Sequence, residues 1–302
     1  MTVIIPEASS YMQLCISMKT FLFPTDFSAN AKHIMAYGYS LARRVKANII
    51  ICNAIIEPAE IPQTGMVSWP MEESDLLAKD SEHELDVLKK YLEDKEETIS
   101  FNPAISCISE AGAVTDIINN VSHNHNIGLV IAGTHGNSGL GTLLLGSHTS
   151  KIIDFVKRPL LLVPPSADIV PIRKIAFATD FKNPEYDLEC MLTLITLARP
   201  LNAEILITHI VDEGGHDAEF QHCVDKFMVN VSDKVNYPKI YYRVVNAKHT
   251  IKGLDWLCDH GTIDIMAMVH RSHNFFNELF NGSHTQKMAK HIAIPLLVFP
   301  SN

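Results

Sequence analysis

Positive charge is scarce in this chain of 302 residues. Its 25 Lys and Arg face 34 Asp and Glu, giving a formal net charge of −9. That excludes attachment to nucleic acid by general electrostatic attraction, which needs a cationic surface. Long apolar runs are missing too. None reaches the length of about 18–20 residues that spans a bilayer. The N-terminus MTVIIPEASSYMQLCISMK lacks a basic leader region and a clean small-residue cleavage site, so it does not read as a signal peptide. Met18, just before the first strong structural pattern, reads as an alternative start. The six cysteines (Cys15, Cys52, Cys107, Cys190, Cys223 and Cys258) contain no CxxC pair, which fits a reduced, cytoplasmic protein. Cys52 follows the apolar run Ile49–Ile51 and reads as a buried thiol. With 14 Gly and 15 Pro the chain is neither collagen-like nor a low-complexity linker. Its 47% hydrophobic content supplies a sizeable core, and the length suggests two domains.

The acidity is concentrated. Residues 72–97 hold eleven acids and four bases, the pattern of a solvated helix face. A search for internal repeats is more informative. Lys19-Thr-Phe-Leu-Phe-Pro-Thr-Asp-Phe27 aligns with Arg173-Lys-Ile-Ala-Phe-Ala-Thr-Asp-Phe181, and Leu41-Ala-Arg-Arg-Val-Lys-Ala47 with Leu197-Ala-Arg-Pro-Leu-Asn-Ala203. Gly146-Ser-His-Thr149 aligns with Gly282-Ser-His-Thr285, and Pro159-Leu-Leu-Leu-Val163 with Pro295-Leu-Leu-Val-Phe299. The offset falls from 154 to 136, so the second copy has lost 18 residues from its middle. The chain is a tandem duplication with a linker at Pro164–Arg173. The expected units are 19–165 and 173–302, with 1–18 as an N-terminal extension.

Each copy alternates short apolar runs with amphipathic stretches. In the first, strands are expected near 20–24, 48–55, 104–109, 128–132 and 159–163, and helices over 29–46, 72–95, 112–125 and 147–156. Leu77, Leu85, Leu88 and Leu92 share one face of the second helix, and Ser28 and Ser147 read as helix caps. In the second copy strands are expected near 174–178, 203–211, 239–246, 263–268 and 295–299. Continuous runs such as Leu129–Ile131 suit parallel strands covered on both faces. The fold class expected is α/β, two tandem doubly wound domains with five-stranded parallel sheets.

Ligands of such sheets bind beyond the carboxyl ends of the strands, where strand order reverses. Two segments of the first copy belong there: Pro24-Thr25-Asp26, and Gly133-Thr-His-Gly136 followed, after nine intervening residues, by Gly146-Ser147. The glycines would permit positive φ and close backbone approach. Gly146-Ser147-His148-Thr149 opens a helix, whose free N–H groups, dipole and hydroxyls suit a phosphate. Asp26 could accept hydrogen bonds from ribose hydroxyls, and the backbone at Ala54 could flank a base. Each feature alone has a plainer reading as a turn or a cap. There is no GKS or GKT of a P-loop, and Gly139-Leu-Gly141 lacks the rest of a dinucleotide fingerprint.

With these motifs in place, the sequence resembles the universal stress protein family, whose ATP-binding members carry G-x2-G-x9-G-[S/T] after the fourth strand and a Pro/Val-x-Asp element after the first. Gly133, Gly136, Gly146 and Ser147 match the first pattern, and Asp26 the second. The resemblance runs from Lys19 across essentially the whole chain. It implies adenine-nucleotide binding, by ATP or else AMP or ADP, with Mg²⁺ as companion cation. The contacts it implies are Pro24, Thr25, Asp26, Ala54, Ala132, Gly133, His135, Gly136, Gly146, Ser147, His148 and Thr149.

The second copy departs from this pattern. Val269 and Ser272 stand where Gly133 and Gly136 do, and Phe275, Phe276 and Phe280 crowd the following loop, although Thr179-Asp180 and Gly282-Ser283 persist. A degenerate second site, with a role in pairing and regulation, is expected. Among the 15 histidines, His123 with His125 and His270 with His273 lack the further ligands of a zinc site, so no metal site is expected. Residues 133–150 contain no Asp, Glu, Lys or Arg, so phosphate charge would be met by backbone dipoles and a bound cation, with little machinery for turnover and no catalytic residue to name. The expected function is a nucleotide-binding regulator of the stress response rather than an enzyme. A weak ATPase and an interaction scaffold with vestigial sites are the alternatives. In the family, single domains pair through the edge strand after the last helix. Here those strands, Leu160–Val163 and Leu296–Phe299, are expected to pack the copies as an intramolecular pseudo-dimer, with a homodimer left open.

Overall fold

The computed structural model of the protein describes residues 18–28, 30–56, 71–95, 101–134, 147–211, 218–271 and 294–301, with the backbone alone for 71–74, 147–150 and 219. The first half contains β1 (Thr20–Thr25), α1 (Ala31–Val45), β2 (Asn48–Ile55), α2 (Met71–Glu93), β3 (Ile105–Ala111), α3 (Val114–Asn124), β4 (Leu129–Gly133), α4 (Ser147–Phe155) and β5 (Leu160–Val163). The second contains β6 (Lys174–Ala178), α5 (Pro184–Leu201), β7 (Glu204–Val211), α6 (Ala218–Lys234), β8 (Ile240–Asn246), α7 (Thr250–His260), β9 (Ile265–Val269) and β10 (Leu296–Phe299).

The ten strands form one sheet in the order β3-β2-β1-β4-β5-β10-β9-β6-β7-β8. Pairing is parallel within each half and antiparallel at the junction, where Leu296, Leu297 and Val298 lie opposite Leu162, Leu161 and Leu160. The two halves thus repeat one strand order in mirror sequence around the β5–β10 seam.

Strand side chains alternate between faces, and both faces are dry. Phe21, Phe23, Ile49, Ile51, Leu129, Ile131 and Leu161 enter one core layer with α1, α2, α5 and α6. Leu22, Ile50, Cys52, Val130, Leu160 and Leu162 enter the other with α3, α4 and α7. The layers run unbroken across the seam, where Leu161 and Leu297 are fully buried.

Three local expectations need correction. Ser28 does not cap α1: the helix starts at Ala31 after Asn30, and Ser28 contributes its carbonyl to the Ala31 N–H. The cause is a turn over residues 25–28, in which Phe27 takes φ 57°. Leu77 does not share the buried face of α2 with Leu85, Leu88 and Leu92: it is exposed, whereas those three are buried. The ends of α1 and α3 also fall one or two residues inside the expected spans. Capping of α4 at Ser147 lies outside the described residues.

Leu161→Lys would place an ammonium group in the dry seam between Leu297 and the α1 side of the core. A loss of about 3–5 kcal/mol is expected. Denaturant unfolding checks it: the single transition should shift strongly or split in two, and small-angle scattering should show a less compact particle.

Candidate functional site

The two halves differ at the reversal of strand order. β1 and β4 pair only through Phe21↔Leu129 and Leu22↔Val130. The corresponding strands of the second half, β6 and β9, stay paired through four positions, from Ile175↔Ile265 to Ala178↔Met268. After Leu22 the first pair therefore separates, and a cavity of about 290 Å³ opens at the carboxyl ends. Phe23, Pro24, Thr25 and Asp26 form one lip, and Ile131, Ala132 and Gly133 the other. Ala54 lines one side, Met35 from α1 reaches the cavity from one face of the sheet, and Ile117, Ile118 and Ile152 from α3 and α4 supply an apolar floor from the other. Its size is at the lower end of small-molecule sites, which span about 300–1,000 Å³.

The Asp26 lip is held by a compact set of hydrogen bonds. Thr25 Oγ1 accepts the Phe27 N–H at 3.1 Å, and Asp26 Oδ1 accepts the Ser28 N–H at 3.0 Å. Asn53, in register with Thr25 on β2, donates its Nδ2 to the Thr25 carbonyl at 2.8 Å. The Asn53 Oδ1 accepts from Ser81 Oγ at 3.0 Å, and Ser81 shares a 2.7 Å hydrogen bond with Ser109. This buried polar chain links α2, β3 and β2 to the end of β1, so each buried group has a partner. Asp26 itself is exposed and leaves carboxylate capacity toward solvent and the cavity.

Of the residues singled out from sequence, Pro24, Thr25, Asp26, Ala54, Ala132 and Gly133 are brought together around this cavity. His135, Gly136 and Gly146 lie outside the described residues. Ser147, His148 and Thr149 form the first turn of α4, with their side chains outside the description. Gly133 does not use positive φ, since it ends β4 in strand pairing with Val163; among the described glycines only Gly112 has positive φ, at 145°. What glycine supplies at 133 is the absence of a side chain on the cavity lip. Sequence reasoning missed Asn53 and the apolar floor. Asn53 carried a signal, an amide interrupting the apolar run of β2 near its carboxyl end, whereas Ile117 and Met35 look like any core residue.

The second half repeats the turn bond for bond. Thr179 Oγ1 accepts the Phe181 N–H at 3.0 Å, Asp180 Oδ1 accepts the Lys182 N–H at 3.1 Å, and Phe181 takes φ 54°. His209 Nδ1 replaces the Asn53 amide at the Thr179 carbonyl, at 2.7 Å. The difference lies in charge. Arg271 sits 2.5 Å from the Asp180 carboxylate and also donates to Asp187, which is fully buried and accepts from Thr179 Oγ1 at 2.7 Å. Burial pushes the Asp187 carboxyl up, against the opposing pull of Arg271 and Thr179. The carboxylate equivalent to Asp26 is thus engaged by the protein's own guanidinium. Val269 pairs with Phe299 in ordinary strand geometry, so what valine changes at this position is the side chain and not the backbone conformation. Ser272, Phe275, Phe276, Phe280, Gly282 and Ser283 lie outside the described residues. Among the described residues no group of three or more His, Cys, Asp or Glu could hold a metal ion.

A parallel sheet covered by helices on both faces, with a crevice where strand order reverses, defines a doubly wound α/β protein of the kind that binds small ligands at its strand ends. Residues 18–164, the first half of the chain, match the model of the universal stress protein family. A universal stress protein of Methanocaldococcus jannaschii is 26% identical over 168 residues, covering 50% of this chain and 97% of that protein. The crystal structure of a universal stress protein from Archaeoglobus fulgidus superposes with a TM-score of 0.68 at 15% identity, over 95% of this chain and 100% of that one. A functionally unknown protein from Pseudomonas aeruginosa gives a TM-score of 0.57 at 10% identity, over 94% and 93% of the two chains. These structural likenesses extend the fold across both halves.

Arg271→Ala would leave the buried Asp187 carboxylate without its cation. Unfolding in urea should show a loss on the order of 3 kcal/mol. The double variant with Asp187→Asn should regain part of it.

Proposed function

We propose that the protein is an ATP-binding regulator of the stress response whose nucleotide is held by the first half. The observation that carries this reading is the opening between β1 and β4, with an exposed carboxylate on one lip, a bare glycine on the other and an apolar floor between them. Such a floor suits a purine, Asp26 suits ribose hydroxyls, and the backbone of Ala54 flanks the base. Pro24, Thr25, Ala132 and Gly133 complete the described part of the site. The phosphates then belong over the segment from Gly133 to the start of α4, with His135, Gly136, Gly146, Ser147, His148 and Thr149 as contacts and Mg²⁺ as the accompanying cation. AMP or ADP would occupy the same place.

Binding without turnover is part of the proposal. The described residues lining the cavity include two ionisable side chains, Asp26 and Cys52. Burial pushes the Cys52 thiol up to about 12, which removes it as a nucleophile at neutral pH. Asp26 is assigned to the sugar, which leaves no group among the described lining residues to activate water.

The functional units are taken as 19–165, which binds nucleotide, and 173–302, which carries the degenerate site and pairs with the first, after an extension at 1–18. The cysteines at 52, 107, 190, 223 and 258 are free, and no helix among the described residues is long and apolar enough to cross a membrane. A cytoplasmic location remains part of the proposal.

Calorimetric titration with ATP should give about one site per chain; two equivalent sites would overturn the assignment to one half. Gly133→Val imports the side chain that stands at 269 and fills the lip. The same titration should then show affinity reduced at least tenfold, about 1.4 kcal/mol, with the melting curve unchanged.

A further inference from the structure

We propose that Pro24 is the residue that opens the cavity, and that Ala178 at the matching position keeps the second half shut. In a parallel sheet successive residues of a strand turn their main-chain groups to alternate neighbours. The Lys19 carbonyl accepts from Asn48 on the β2 side, and the Thr20 carbonyl accepts from Gly128 on the β4 side. Counting on by twos, Leu22 and residue 24 also face β4. Leu22 makes its pairing. Residue 24 is proline, which has no N–H to give, so the ladder toward β4 ends there. The second half is the internal control. The Lys174 carbonyl accepts from Asp264, so Ala176 and Ala178 face β9, and Ala178, with its N–H, stays paired with Met268.

Release on one side is matched by retention on the other. Pro24 and Thr25 remain in register with Cys52 and Asn53 of β2, and the Asn53 amide holds the Thr25 carbonyl. The end of β1 therefore swings free of β4 without losing its place in the sheet. His209 performs the same retention at Thr179, yet there the strands stay zipped. What differs at this register position is the proline. Pro24 acts as a positioning residue: it separates the Asp26 lip from the Gly133 lip and so decides whether a ligand can enter.

The affinity part of the test rests on the proposed nucleotide site, while its structural part does not. In Pro24→Ala the new amide at residue 24 can donate to β4. Amide exchange followed by NMR should find that proton protected to the same degree as the Leu22 amide, and the titration should show ATP affinity reduced at least tenfold. The melting temperature should hold or rise, the opposite of what a merely damaged site would show. In the reciprocal variant Ala178→Pro, the amides of Ala267–Val269 should exchange faster than in the parent. An unprotected amide at residue 24, or a protected one with undiminished ATP affinity, overturns the proposal. If the parent protein fails to bind ATP, the nucleotide reading falls, and the exchange measurements on the two variants still decide the role of Pro24.

Discussion

The separation of β1 from β4 after Leu22 is the constraint on which the candidate site depends. Parallel strands in a covered sheet have every reason to stay paired, because an unpaired main-chain group in a dry interior is costly. Here the break comes at the carboxyl ends, where polar groups can reach solvent or a ligand. The first half tolerates it because Asn53, Ser81 and Ser109 secure the released strand from the other side. The cavity is thus a gap in one ladder, stabilised by an extra bond in the next.

The second half shows what the same backbone does when the gap is not used. Its turn after β6 repeats the hydrogen bonds of the first, down to the left-handed Phe181. Arg271 then spans Asp180 and Asp187, turning two carboxylates into part of a structural network. Duplication left two copies of one scaffold. In one copy the strand-end acid faces a cavity, and in the other it is an internal partner.

The fold was largely legible in the sequence because its periodicities are strong. Apolar runs such as Ile49–Ile51 and Leu129–Ile131 became buried strands, and the repeat announced the doubling. Boundaries were less legible where a turn intervened: nothing in Ser28 itself reveals that Thr25 and Asp26 fold the chain back before α1. At the site, Pro24–Asp26 and Ala132–Gly133 line one cavity. Ile117 and Ile118 could not be told from core, because a ligand floor and a core are made of the same side chains. Arg271 was missed for another reason. Its partners lie 91 and 84 positions earlier in the chain, and only the folded sheet brings them to it.

The seam between β5 and β10 has a further consequence. An edge strand can take one neighbour, and in this chain each of these two strands already has the other. Strands β3 and β8 are left at the ends of the sheet. A single-domain protein of the same architecture can exchange partners with any compatible sibling, so its pairings reflect whatever else is being made. Covalent fusion removes that freedom. The ratio of the two halves is fixed at synthesis at one to one, independent of concentration and closed to subunit exchange along this seam.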